Sequence, residues 1–345
     1  MANNWFYPND AFIFDTYTEI QQGFIERIIQ KGTDNAIQWL KTVKNEQECS
    51  KPRKLRFSWK KFADLYVFEI SEYGDFSSAI RFNTAKNFLE LDNFKVGQKY
   101  FWRVNGGDIH WFQTKDNLFR FINLDGALNV RDLGGNCIKQ GILYRGTEFD
   151  EFYHLSQKGQ EIFIEELKIK TQLDLRGENI QHRADSPFGE KVNLIQIRYR
   201  PYAEIFEVEH RENICKIMDV LSDEKNYPVY IHCVGGADRT GMIAIYLRAL
   251  AGESDEEIFT DYELTGLSNY TMGITESVDT GDRCREYPYF VGFLHKLYSY
   301  VGAERSAPLA NVVRAFLLDC GTKKEQIDKI LDIIKNRGGE SNETV

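Results

Sequence analysis

Residues 230 to 244, YIHCVGGADRTGMIA, hold a thiol, a glycine pair and a guanidinium in one order. A short β-prone run ends at His232, Cys233 follows, residues Val234 to Asp238 separate it from Arg239, and a helical pattern opens near Thr240. A strand, loop and helix in this order leave backbone N–H groups converging over the helix N-terminus, where free donors and the helix dipole favour an anion. Gly235 and Gly236 suit such a loop because glycine accepts positive φ and close backbone approach. Cys233 sits where donors and a neighbouring cation favour thiolate over thiol. Arg239 offers a planar fork for two phosphoryl oxygens and for the charge that develops on them. Thr240 is placed to give the sulfur a hydroxyl hydrogen bond, while Val234, Gly235, Gly236 and Ala237 complete the substrate cradle. The chemistry is attack of sulfur on phosphorus, one hard step divided in two by a cysteinyl-phosphate. A lone buried cysteine is ordinarily an inert small hydrophobe; the specificity lies in the combination.

An expelled alkoxide or phenoxide leaves faster when a carboxylic acid protonates it, an effect worth about 10²- to 10⁴-fold. Asp238 inside the loop is one candidate acid, and it is also placed to orient Arg239 by a salt bridge. Glu204 and Glu207, in IRYRPYAEIFEVE, are the others.

The elements that must position these residues show a change of rhythm near residue 115. From Lys54 to Gln113, LRFSW, LYVFEIS and KYFWRV are aromatic and β-branched runs separated by turn residues, predicting a small all-β sandwich. Trp59, Tyr66, Phe68, Tyr100 and Trp102 are expected in its core. Ahead of it, YTEIQQGFIERIIQ and DNAIQWLKTVK carry helical spacing. Beyond residue 116, helices and strands alternate, predicting an α/β domain with a mainly parallel central sheet flanked by helices. Ser156 to Leu167 reads as a helix, KTQLDL and VNLIQIRY as strands, and Ile214, Ile217, Met218 and Leu221 as one helix face. PVYIHC reads as a buried central strand, and Ile327, Ile330, Leu331 and Ile334 as a last amphipathic helix. The expected division is 1–115, 116–338, and a disordered polar tail, 339–345.

Composition narrows the function classes. The 345 residues are 42% hydrophobic and 28% charged, as in a globular protein with substantial cores. With 43 basic and 52 acidic residues the net charge is −9, which disfavours nucleic acid as a partner. No run approaches the roughly 20 apolar residues of a membrane span, and the opening MANNWFYPNDAFIFD lacks the pattern of a secretory leader. The six cysteines and six histidines are scattered, so no metal, cofactor or disulfide framework is expected and a reducing, cytoplasmic setting fits.

HCVGGADRTG resembles the H-C-x5-R-[ST]-G signature of the protein tyrosine phosphatase superfamily. NVRDLGG (129–135), GILYRG (141–146), LKIKTQLDLRGENI (167–180) and DYELTG (261–266) are similar, in order, to landmarks of its bacterial and fungal N-x-R-D-L-G-G branch of atypical tyrosine and dual-specificity enzymes. The resemblance implies Cys233 as nucleophile, Arg239 as phosphate-binding arginine, and Asp238 as the aspartate that precedes it. Gly134 and Gly135 are read as a turn braced by Asn129, Arg131 and Asp132, and Asp174 with Arg176 as a salt-bridge support under the active face. Ala237 stands where that branch usually has a lysine associated with highly anionic substrates. Its absence points away from phosphoinositides and towards phosphotyrosine-like monoesters. The rivals are an inositol polyphosphate or phosphoinositide phosphatase recruiting Lys139, Arg145, Arg198 or Arg200, a rhodanese-like sulfurtransferase, and a non-catalytic phosphate-binding module. Rhodanese loops usually hold four residues, against five here. The Lys54–Gln113 stretch resembles a fibronectin type III or immunoglobulin-like module, which implies a spacer or a binding role without chemistry, the partner then being a protein or glycan.

Overall fold

The computed structural model describes residues 12–44, 47–177, 187–269 and 284–335; the tail assigned to 339–345 lies outside them. The chain forms two units. One comprises Met1–Thr18 with Pro52–Ile122, the other Glu19–Lys51 with Asn123–Val345.

In the first unit the strands are β1 (Ile13–Phe14), β2 (Leu55–Ser58), β3 (Tyr66–Ser71), β4 (Ile80–Thr84), β5 (Phe88–Leu91), β6 (Lys99–Val104), β7 (His110–Thr114) and the short β8 (Arg120–Phe121). One sheet runs β1-β7-β6-β3-β4, antiparallel except for the β1–β7 pair, and β2 pairs with β5 in a second. Alternation puts Leu55 and Phe57 inward, where Phe57 meets Phe68 at 4.9 Å and Trp102 at 5.3 Å between ring centroids. Tyr66, Phe68, Tyr100 and Trp102 are buried, and the half-buried Trp59 stacks on Phe68.

The second unit begins with helices α1 (Glu19–Lys31) and α2 (Thr33–Lys44). Grouping these helices with the sandwich, as the 1–115 boundary does, differs from the observed arrangement, and the reason is polar. Lys44 Nζ donates to the carbonyls of Gly266 (2.9 Å) and Ser268 (2.7 Å). The Glu48 carboxylate accepts from Ser268 Oγ and the Asn269 amide, and the Cys49 amide donates to Leu267 O.

Its sheet contains β9 (Arg131–Asp132), β10 (Leu143–Gly146), β11 (Thr171–Asp174), β12 (Asn193–Gln196) and β13 (Val229–His232), ordered β12-β11-β13-β10-β9. The β11–β12, β11–β13 and β10–β13 pairs are parallel, and β9 is antiparallel to β10. Every residue of β13 is buried, as its unbroken apolar run requires of a strand covered on both faces. The remaining helices are α3 (Gln157–Glu161), α4 (Val208–Leu221), α5 (Asp238–Ala251), α6 (Asp255–Glu263), α7 (Pro288–Tyr300), α8 (Leu309–Asp319) and α9 (Lys324–Ile334). Where a helix is predicted from Ser156 to Leu167, α3 ends at Glu161 and a π-turn takes over through Glu166. Helix α5 is buried from Thr240 to Ala251 and, Arg248 apart, largely apolar around its circumference there, a core helix delivered directly by β13.

Candidate active site

The loop between β13 and α5 is held from behind by its carbonyl oxygens. Val234 O accepts from the Glu148 amide (3.0 Å), and Gly235 O from Asn129 Nδ2 (3.0 Å). Gly236 O and Ala237 O accept from Arg145 Nη2 (2.7 and 3.3 Å), and Ala237 O also takes the first amide of the helix, from Gly241. The opposite edge carries donors: among the described residues no acceptor meets the amides of Val234, Gly235, Gly236, Ala237, Arg239 and Thr240. Gly236 has φ of 65°, and a Cβ there would lie 2.3 Å from Gly146 O. Gly235, expected to share that conformation, has no positive φ. The helix opens at Asp238, two residues earlier than its pattern suggests.

Cys233 is 3% exposed, at the edge of the apolar core of this unit. Arg239 is half-buried, with no hydrogen-bond or ion-pair partner among the described residues. The salt bridge expected between it and Asp238 is therefore not made. Nor is the bond from Thr240 to the sulfur: Thr240 Oγ1 is buried and without a partner among the described residues.

Under the loop lies a charged core. The Asp261 carboxylate meets Arg131 Nε (2.9 Å), Arg145 Nη1 (2.6 Å) and Arg248 Nη2 (3.5 Å), all of them buried. Burial alone would push the Asp261 carboxyl up, but the three guanidinium groups outweigh it and hold the carboxyl far below the usual range. For Arg145 burial dominates: desolvation, reinforced by Arg131, lowers its pKa to about 9 despite Asp261. Arg131 also donates to Asn129 Oδ1 (2.6 Å), tying this cluster to Gly235. Asp132 accepts from the amides of Gly134 and Gly141, closing the NVRDLGG turn.

Residues 122–281 match the model of the tyrosine phosphatase family. The chain is a phosphoric monoester hydrolase. Among solved structures, the core catalytic domain of the PP-IP phosphatase SIW14 from S. cerevisiae, crystallised with citrate, is similar at 21% identity. The match covers 37% of this chain and 74% of that one, with a TM-score of 0.29. Comparison with curated proteins found no match.

Within the matched segment, Asp174 and Arg176 form a brace. Arg176 binds Asp174 through Nε (3.0 Å) and Asp150 through Nη2 (2.7 Å). The buried Glu148 carboxylate accepts four amides, from Asp150 to Tyr153, at 2.7–3.2 Å. Its carboxyl is pushed up to about 7 because burial outweighs those bonds. His232 joins the support: Gln172 Nε2 lies 2.9 Å from its Nε2, and its Nδ1 lies 3.1 Å from Cys233 O. Neither Glu148 nor Gln172 stands out in the sequence, since only the fold brings them to the loop.

Of the three candidate acids, Asp238 alone adjoins the loop, as the first residue of α5. Glu204 and Glu207 are exposed, beside Arg200 (3.8 Å) and His210 (3.9 Å). The residue of their segment that reaches the loop is Tyr202, whose phenol donates to Asp238 Oδ1 and lies 2.8 Å from the Tyr262 hydroxyl. Nothing in IRYRPYAEIFEVE distinguishes that tyrosine from an ordinary core aromatic.

Proposed function

We propose that this phosphatase hydrolyses aryl phosphomonoesters such as phosphotyrosine through a cysteinyl-phosphate on Cys233. Arg239 and the amides of Val234, Gly235, Gly236, Ala237 and Thr240 bind the phosphoryl oxygens, and Asp238 protonates the leaving oxygen. The observation that carries the reading is the loop's polarity: carbonyls are engaged behind it, while among the described residues the amides in front have no acceptors and the guanidinium of Arg239 has no partner. A preorganised donor set of this kind stabilises the charge of the phosphoryl transition state.

The surrounding cations favour a monoester of modest charge over an inositol polyphosphate. Arg145 faces the back of the loop, Lys139 Nζ donates to Ile333 O, and Arg198 and Arg200 lie beside Glu209 and Glu204. With Ala237 in the loop, this supports the N-x-R-D-L-G-G branch without its lysine-dependent substrates. We assign the Lys54–Gln113 stretch to an immunoglobulin- or fibronectin-like module with a protein or glycan partner, and the enzyme to a reducing, cytoplasmic setting. Among the described residues no helix is long and apolar enough to cross a membrane.

The test is a panel of phosphotyrosine peptide, phosphoserine peptide, phosphoinositides and inositol hexakisphosphate, with Cys233→Ser as control. Phosphotyrosine peptide is turned over best and Cys233→Ser is inert. Preference for the inositol phosphate refutes the substrate, and turnover by Cys233→Ser refutes the mechanism.

A further inference from the structure

We infer that Tyr202 is a positioning residue that, together with Tyr262, fixes which oxygen of Asp238 delivers the proton; this rests on Asp238 being the general acid. Each phenol has one hydrogen. Tyr202 gives its own to Asp238 Oδ1, so across the 2.8 Å contact between the two phenols it is Tyr262 that donates to Tyr202. The relay runs Tyr262 to Tyr202 to Asp238 Oδ1 and makes that oxygen an acceptor only. The transferable proton is thereby confined to Oδ2.

The surroundings hold this relay in one arrangement. Tyr202 is 8% exposed and Tyr262 fully buried, so neither phenol exchanges its partner for bulk water. Tyr262 stacks on Phe290 with ring centroids 4.4 Å apart. Tyr202 follows Pro201 and adopts φ of 60°, a left-handed conformation unfavourable for an aromatic residue and kept only where its surroundings over-determine it. Burial, and after it the negative charge of Asp238, push the Tyr202 phenol well above the ordinary tyrosine range, so it stays a donor throughout the working pH range.

In the step served, the Cys233 sulfur gives an electron pair to phosphorus and the bond from phosphorus to the leaving oxygen breaks. That oxygen keeps the bonding pair and takes the proton from Asp238 Oδ2. Asp238 becomes a carboxylate, and the Tyr202 hydrogen bond, stronger to an ionised acceptor than to a neutral one, stabilises the charge as it forms.

The experiment compares Tyr202→Phe and Asp238→Asn on p-nitrophenyl phosphate, whose leaving group needs little protonation, and phenyl phosphate, whose leaving group needs more. Inhibition by inorganic phosphate and the melting temperature are followed in parallel. Tyr202→Phe is expected to lower kcat on phenyl phosphate about tenfold or more and on p-nitrophenyl phosphate about threefold or less, with KM and phosphate inhibition unchanged. Tyr262→Phe, which keeps Tyr202 in place, is expected to show the same selectivity to a smaller degree, and it carries the test if Tyr202→Phe does not fold. Equal losses on both substrates in the tyrosine variants, with Asp238→Asn still selective for phenyl phosphate, overturn the relay and leave the acid standing. Equal losses in Asp238→Asn overturn both.

Discussion

Replacing Asp261 by asparagine removes the carboxylate that Arg131, Arg145 and Arg248 share, and leaves three buried guanidinium groups with Glu253, 2.5 Å from Arg248, among their few remaining counter-charges. Removing one partner of a buried ion pair costs about 3–5 kcal/mol. In a domain of about 150–250 residues 1 kcal/mol corresponds to about 2–4 °C, so the melting temperature should fall by about 6–20 °C. Arg145→Met is the informative comparison. It forfeits charged hydrogen bonds to Gly236 O and Ala237 O, about 1.5–3 kcal/mol each, but relieves the burial and repulsion that already lower that guanidinium. Because Asp261 keeps Arg131 and Arg248 as partners in that variant, it should destabilise no more than Asp261→Asn. A carboxyl held far below its unfolded value contributes stability that is complete above about pH 4 and is lost only as pH falls through the folded value. The gap between wild type and Asp261→Asn should thus be constant from pH 5 to 7 in calorimetric scans and narrow above that, because Arg145, already lowered to about 9, loses the carboxylate that helps it keep its proton. A change of less than 2 °C in Asp261→Asn, or a larger loss in Arg145→Met, would refute the reasoning.

Gly236→Ala combines φ of 65° with a Cβ 2.3 Å from Gly146 O, so the loop must shift. Turnover should fall about 10²-fold or more by loss of donor alignment, with weaker inhibition by phosphate; wild-type turnover would show that the loop tolerates the displacement. A carboxyl raised to about 7, as in Glu148, binds its proton more tightly folded than unfolded. Stability from this group therefore declines as pH rises from about 4.5 to about 7 and is level above that. Urea midpoints at pH 5 and 7.5 should differ less in Glu148→Gln than in wild type, and an identical difference counts against the assignment.

The loop was legible because its parts are contiguous: a buried strand, a glycine bend and a helix start fall within fifteen residues, and local geometry follows from their order. The network beneath was not. Asp261 lies 130 residues from Arg131 and 116 from Arg145, and no periodicity links charges that meet only after the sheet forms. The acid candidates illustrate the same limit. Glu204 and Glu207 attract attention by side-chain type, yet both point to water, while Tyr202 reaches the loop because of a left-handed backbone angle that nothing in its sequence announces. The helical spacing of α1 and α2 is visible in the sequence, but which core they cover depends on Lys44 and Glu48 finding partners more than two hundred positions away.

Because Glu19–Lys51 and Asn123–Val345 belong to one unit while Pro52–Ile122 belongs to the other, the polypeptide passes between the units at 18/19, 51/52 and 122/123. The β-rich module is thus spliced into the enzyme rather than appended to it. During synthesis the first two helices leave the ribosome well before any strand of their own sheet exists. They must wait while an entire β-rich module is made, a delay of several seconds or more at roughly 5–20 residues per second.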